Sequence, residues 1–254
     1  MKRITAVTVL ILLLVVTAAY AKEEEHLPKI PVLLGAGVLI SSSPYKGDSN
    51  SIYPVPIINV EKDNFFIHIE QAGYSLYKKD PLEVYTFLQP RFMGYRSSDS
   101  DFLRGMKRRN WSVDAGLGAE LKMPGLKQSA VSIEVLQDIL ANSKGQELDV
   151  FYWYMFDLQP LFLVPKVGLM WESKKVIDYY YGVKDTEIAL DRPAYSPDSS
   201  LSYRLGLDSL LYVSKEWALA TRVYVDFFGN QITNSPIVDK DYSTTFLCGV
   251  VYSF

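Results

Sequence analysis

The chain has 254 residues, with 26 Lys and Arg against 29 Asp and Glu, and a formal net charge of −3. That balance gives no electrostatic case for nucleic acid, and a single cysteine, Cys248, excludes an internal disulfide. Eighteen Tyr and twelve Phe make a heavy aromatic load, of a kind used by membrane interfaces and by sugar-binding sandwiches.

The first element is a targeting segment. Lys2 and Arg3 precede an apolar run from Ile4 to Val16, and Ala19-Tyr20-Ala21 fits a small-residue cleavage site, so residues 1–21 are expected to be a signal peptide cut after Ala21. The alternative is an N-terminal anchor helix, against which the short run and the cleavage site both argue. Residue 22 is Lys rather than Cys, which removes the lipoprotein reading. Cleavage takes two positive charges with it and leaves the mature chain at about −5. Residues 22–29, KEEEHLPK, read as a short solvated periplasmic tail, and residues 30–254 as one domain. No later stretch approaches the ~20 apolar residues of a membrane helix.

From residue 30 onward the pattern is period two, the signature of β-strands. Expected strands cover 30–41, 51–61, 64–70, 72–79 and 82–96, the 64–79 hairpin being the least patterned. The clearest strand is NWSVDAGLGAELKM. Trp111, Val113, Ala115, Leu117, Ala119 and Leu121 face one way, and Ser112, Asp114, Gly116, Gly118, Glu120 and Lys122 the other. In LFLVPKVGLMWES, Leu161, Leu163, Val167, Leu169 and Trp171 oppose Lys166, Gly168 and Glu172. SLSYRLGLDSLLYV sets Leu201, Tyr203, Leu205, Leu207, Leu211 and Val213 against Arg204, Gly206 and Asp208. EWALATRVYVDFFGN sets Trp217, Leu219, Val223, Val225 and Phe227 against Arg222, Tyr224 and Asp226. The chain closes on DYSTTFLCGVVYSF, in which Tyr242, Phe246, Cys248, Val250, Tyr252 and Phe254 share a face.

Length decides what these strands are for. Globular strands run to about five or six residues, whereas about eleven residues tilted near 40° span roughly 28 Å, the thickness of a bilayer core. Connections also alternate. Short ones lie at Lys62-Asp63, around Pro124-Gly125, at Gln159-Pro160 and at Ser214-Lys215; long ones cover about 42–50, 97–109, 140–146, 174–199 and 229–241. Short turns on one side and long loops on the other is the outer-membrane pattern, with the turns periplasmic. The reading is an all-β, antiparallel up-and-down transmembrane β-barrel of about 12 strands, with 10 as the alternative, in the bacterial outer membrane. Twelve strands give a backbone diameter of roughly 24 Å. The terminal Phe254 is expected to serve as an assembly signal.

SSSPYKGDSNSIYPVPIINVEKDNFF, FLRGMKRRNWSVDAGLG, DYYYGVKDTEIALDRPAYSPDSS, NSPIV and the ending GVVYSF resemble, in order and spacing, the MipA/OmpV family of outer-membrane proteins. The resemblance spans essentially the whole mature chain. It implies an outer-membrane β-barrel that acts as a scaffold between a murein-cleaving lytic transglycosylase and a murein synthase, although other members are described as adhesins or immunogenic surface proteins.

No catalytic, cofactor or metal site is expected. A Ser-His or Asp-His hydrolase needs a positioned histidine; of the two, His26 lies in the tail and His68 alternates with Phe66 and Glu70 toward the lumen. Gly116 and Gly118 lie inside a strand and are not a nucleotide loop; they relieve luminal crowding. The charges Lys166, Arg204, Asp208, Arg222 and Asp226, with Asp114, Glu120, Lys122 and Glu172, form either an ion-pair network that fills a narrow barrel or the lining of a selective pore. In the 174–199 loop, Tyr179, Tyr180, Tyr181, Asp191, Arg192 and Tyr195 either bind a partner or glycan or fold down over the mouth. Lys107, Arg108 and Arg109, near the outer rim, are candidates for lipopolysaccharide phosphates or a solvated loop. Expected partners are thus the lipid bilayer, lipopolysaccharide and murein-processing enzymes on the periplasmic side.

Overall fold

The computed structural model describes residues 32–254, apart from 124 and 127. The signal peptide, the tail with His26, and Pro124 lie outside the described residues. Twelve antiparallel strands close into a cylinder: β1 Leu33–Ser41, β2 Ser51–Lys62, β3 Phe65–His68, β4 Gln71–Lys79, β5 Leu82–Arg91, β6 Ser112–Lys122, β7 Ser129–Asp138, β8 Gln146–Tyr154, β9 Leu161–Glu172, β10 Ser200–Tyr212, β11 Trp217–Phe227 and β12 Tyr242–Ser253. β8 breaks at Met155 and resumes as Phe156–Leu158, both pieces pairing with β9. Each strand pairs with its neighbours in sequence, and β12 returns to β1 with Leu33 opposite Ser253. The count is therefore twelve, because the weakly patterned 64–79 hairpin is formed, although β3 is only four residues long.

Long connections and two short helices, α1 Lys174–Tyr181 and α2 Asn230–Thr233, gather at one end. Turns gather at the other, including Asp63-Asn64, where Asp63 has a φ of 56°. The strand expected over 82–96 stops at Arg91, because beyond the exposed Phe92 the chain turns in and Tyr95 is buried among the outer loops. Two aromatic girdles mark the membrane boundaries. Trp217, Tyr252 and Phe254 meet edge to face at the turn end, with ring centroids 5.2 and 4.8 Å apart; at the loop end Tyr203 stacks on Phe227 at 5.2 Å, and Tyr242 lies tilted against Phe227 at 6.3 Å. Ten residue steps along β11 separate Trp217 from Phe227, about 25 Å along the normal at a 40° tilt. Leu117, Val223 and Val250 lie exposed on the outer face between the girdles.

Inside, small residues make room for large ones. A Cβ on Gly116 would lie 2.2 Å from the Phe87 ring, and one on Gly118 would lie 2.5 Å from that of Tyr85. Each ring lies flat over the backbone of the next strand, which only glycine permits. On the inner wall of β1, β2, β11 and β12, Leu33, Ile57, Ala218, Ala220, Leu247 and Val251 pack into an apolar cluster that runs from the turn end to mid-height. The inner face of β12 is thus drier than the sequence suggests, because Leu247 and Val251 meet side chains of β1, β2 and β11 rather than water.

Candidate functional site

The cylinder holds a cavity of about 590 Å³ beneath a cap built by four outer loops. The cap begins with α1, whose Val176, Ile177, Tyr180 and Tyr181 lie on one face and are buried. They pack with Tyr45, Tyr95, Leu103, Met106, Ile232 and Ile237 from the other loops. Polar bonds tie the loops together. The Tyr45 hydroxyl donates to the Tyr180 carbonyl at 3.3 Å, Ser235 to the Tyr181 carbonyl at 2.6 Å, and Tyr195 to the Gln231 carbonyl at 3.0 Å.

These contacts place the tyrosine-rich loop. Tyr180, Tyr181 and Arg192 are buried, Tyr179 and Tyr195 are half-buried, and only Asp191 is exposed. Of the two roles open to this loop, folding down over the mouth describes where Tyr180 and Tyr181 go. Arg192 is consumed internally, donating to the Glu187 carbonyl at 2.9 Å, to the Arg104 carbonyl at 3.1 Å and to the Phe102 carbonyl. The rim cluster also divides. Lys107 and Arg108 are exposed, but Arg109 is buried and pairs with Glu187 at 2.8 Å. Its guanidinium also donates to the Tyr179 carbonyl at 2.6 Å, so Arg109 is withdrawn from any lipopolysaccharide phosphate. Burial raises the Glu187 carboxyl, but the bond from Arg109 and backbone N–H groups of Lys107 and Lys184 outweigh it and hold that group below the usual range.

Below the cap, the predicted luminal charges converge. Arg204 donates two bonds to Asp226, at 2.5 and 2.8 Å, and Arg222 two to Asp208, at 2.7 and 3.1 Å. Such bidentate pairs fix both partners. Arg222 also reaches Glu70 of the β3–β4 turn at 3.3 Å, so the hairpin tip is tied across the lumen to β11. Lys166 lies over the rings of Phe151 and Tyr224, at 5.7 and 5.8 Å. Lys122 sits apart, at the turn end, 3.3 Å from Asp80. His68 stacks on Phe66 and contacts Glu61 at 3.1 Å, rather than the adjacent Glu70.

A second cluster joins the expected luminal acids Asp114, Glu120 and Glu172 to Arg91, Glu134, Glu147 and Asp149, which the sequence analysis does not name. Arg91 is a hub, 2.5 Å from Glu147, 2.9 Å from Asp114 and 3.6 Å from Glu172. Glu134 accepts a bond from Tyr85 at 2.6 Å, and Glu120 one from Trp153 at 3.2 Å. Asp149 points into the same space. The signal was present in SAVSIEVLQD and QELDVFYWY, where Ser132, Glu134, Glu147 and Asp149 fall at alternate positions among apolar residues. Among the described residues no group of three or more His, Cys, Asp or Glu is placed to hold a metal ion.

Comparison with known proteins found both sequence relatives and solved structures. The family model for MltA-interacting protein MipA matches residues 34–254. The MltA-interacting protein of Escherichia coli K12 is 30% identical over 225 residues, covering 87% of this chain and 89% of that protein. The outer membrane protein OmpV of Vibrio cholerae is 31% identical over 175 residues, 69% of this chain and 67% of that protein. Among solved structures, the toluene transporter TbuX of Ralstonia pickettii aligns over 89% of this chain and 90% of its own at 7% identity, with a TM-score of 0.45.

Proposed function

Because the chain belongs to the MltA-interacting protein MipA family, we propose that this outer-membrane barrel serves as a non-enzymatic scaffold, joining murein-processing enzymes at the inner surface of the membrane. The observation that carries this reading is the closure of the outer mouth of the lumen. Tyr180 and Tyr181 lie in the cap, and the wall below it is narrowed by the apolar cluster that includes Leu247 and Val251. A barrel capped at its outer mouth has its surfaces left to work with. The periplasmic surface offers the turns near Lys62, Gln159 and Lys215. Each is short, so a partner must share several turns to bury the roughly 800 Å² per side of a stable interface. The outer surface keeps Lys107 and Arg108, which are available to lipopolysaccharide phosphates.

The test is affinity capture of the tagged barrel from detergent extracts, followed by mass spectrometry. Enrichment of a murein-cleaving lytic transglycosylase and a murein synthase over an unrelated barrel is expected. Failure to enrich either, together with large steady conductance of the purified protein in planar bilayers, would replace the scaffold reading with that of a solute channel.

A further inference from the structure

The wall of the cylinder is not complete at every height. β2 pairs with β1 along Ser51–Asn59, but with β3 only along Asn59–Lys62. On the other flank, β5 pairs with β4 only as far as Leu88, while its pairing with β6 continues to Arg91. Between these flanks the β3–β4 hairpin turns back at Ile69-Glu70, and Glu70 is tied inward to Arg222. Above that turn, β2 and β5 face each other across the width of two missing strands, about 14 Å between strand axes.

The flanks are built to stay apart. The Ile58 carbonyl accepts the Ile69 N–H at 2.8 Å, so even-numbered residues of β2 aim their backbone groups toward the gap. Two of these, Pro54 and Pro56, have no N–H to offer. On β5, the Pro81 carbonyl accepts the Lys122 N–H at 2.9 Å, which assigns odd-numbered residues to β6 and turns Pro90 toward the gap. Proline on both edges denies a further strand its ladder. The gap is therefore no vacant strand position, and the carbonyls that face it need a wet or polar neighbour within the bilayer.

The rim and the interior differ in chemistry. Ile52 and Phe92, 66% and 68% exposed, make the rim apolar. The cavity behind it extends from Tyr53 and Gln89 to Asp149 and Trp153, and is lined by eleven Asp and Glu side chains against four Arg and Lys. Asp149 is 6% exposed, yet its Oδ1 has no hydrogen-bond partner. A buried carboxylate oxygen without a partner is costly, and a cation in the cavity would satisfy it. A volume near 590 Å³ suits one small molecule.

We propose that the opening between β2 and β5 is a lateral port, through which an amphiphilic cation, an apolar body carrying an ammonium group, passes from the bilayer into the carboxylate-lined lumen. The port is independent of the scaffold role, since it uses the wall rather than the turns. It also leaves the cap closed, so entry requires no axial channel.

The reporter is built in. Of the four tryptophans, Trp111, Trp171 and Trp217 are exposed on the outer face, whereas Trp153 hydrogen-bonds to Glu120 inside the lumen. A protein with those three changed to Phe and with Cys248→Ser is reconstituted in vesicles and titrated with a hexadecyl ammonium nitroxide whose spin label is on the head group. Several-fold stronger quenching of Trp153 than by an alkyl sulfate nitroxide of equal length is expected. Joining Pro56→Cys to Pro90→Cys with a bismaleimide should remove the excess, and Asp149→Asn should reduce it, with heat-modifiable migration reporting the fold. Equal quenching by both head groups, or quenching unchanged by the cross-link, would overturn the proposal. A further measurement needs no substitution: the spin-label spectrum of the cation should gain an immobilised component with the unmodified barrel, and no such component would also overturn it.

Discussion

The guanidinium of Arg109 stands 2.8 Å from the carboxylate of Glu187, with side-chain exposures of 3% and 1%, and the pair joins the 92–111 loop to the 173–199 loop. Removing one partner strands the other as a buried charge, so Arg109→Ala should destabilise the cap by about 3–5 kcal/mol. Limited proteolysis of the outer loops should read this as faster cutting between α1 and β10, with the barrel strands still protected.

The same pair makes the cap sensitive to acid. Because the folded Glu187 carboxyl is held low, its contribution is complete above the ordinary glutamate value of about 4.3 and is lost as pH falls through the lower folded value. Amide exchange in the 174–195 region should thus be insensitive to pH from neutrality down to that ordinary value, after correction for intrinsic exchange, and should accelerate below it. In Glu187→Gln the acid step should be absent.

Gly116 and Phe87 are a matched pair. Any Cβ at 116 meets the Phe87 ring at 2.2 Å, so Gly116→Ala should cost about 1–3 kcal/mol in overpacking. Phe87→Leu in the same chain should recover part of that loss. Urea midpoints of the barrel refolded into vesicles would measure the coupling, and additive effects would count against the ring lying over the glycine.

Leu117 sits midway along β6 and is 55% exposed on the outer face. An Arg there should cost about 2–4 kcal/mol at the bilayer midplane. Folding into vesicles unchanged by Leu117→Arg would mean that the strand presents its other face to lipid.

What could be read from the sequence follows from what alternation encodes. β6, β9, β10, β11 and β12 carry long alternations, unbroken in β6, and outward residues such as Leu117 and Val223 are exposed as expected. Arg204–Asp226 and Arg222–Asp208 were legible as luminal charges because period two sets a face, but their pairing depends on strand register, which single-strand patterns do not carry. At the Arg91 hub, Asp114 and Glu172 were legible as luminal acids, but Arg91 and Glu147 were not, and their meeting depends on strands β5, β6, β8 and β9 closing round one point. Arg109 was misplaced for a different reason. A basic loop residue reads as solvated until a distant acid, here Glu187, is known to lie beside it. The gap above the β3–β4 hairpin was hidden as well: Pro54 and Pro56 lie in a strand that reads as ordinary wall, and their meaning appears only when β3 is seen to end at His68.

The terminal residue separates assembly from stability. The Phe254 N–H donates to the Val32 carbonyl at 3.0 Å, and its ring meets Tyr252 in the girdle at the turn end. Yet the side chain is 72% exposed to its surroundings, so deleting it removes little packing from the finished barrel. A purely structural role predicts a small loss, about 1 kcal/mol or less, in both unfolding and assembly. A role in recognition by the insertion machinery predicts a small change in the urea midpoint of the refolded protein, but a several-fold fall in the heat-modifiable fraction recovered from cells. We expect the second pattern. Equal, small effects in both measurements would make Phe254 an ordinary girdle residue.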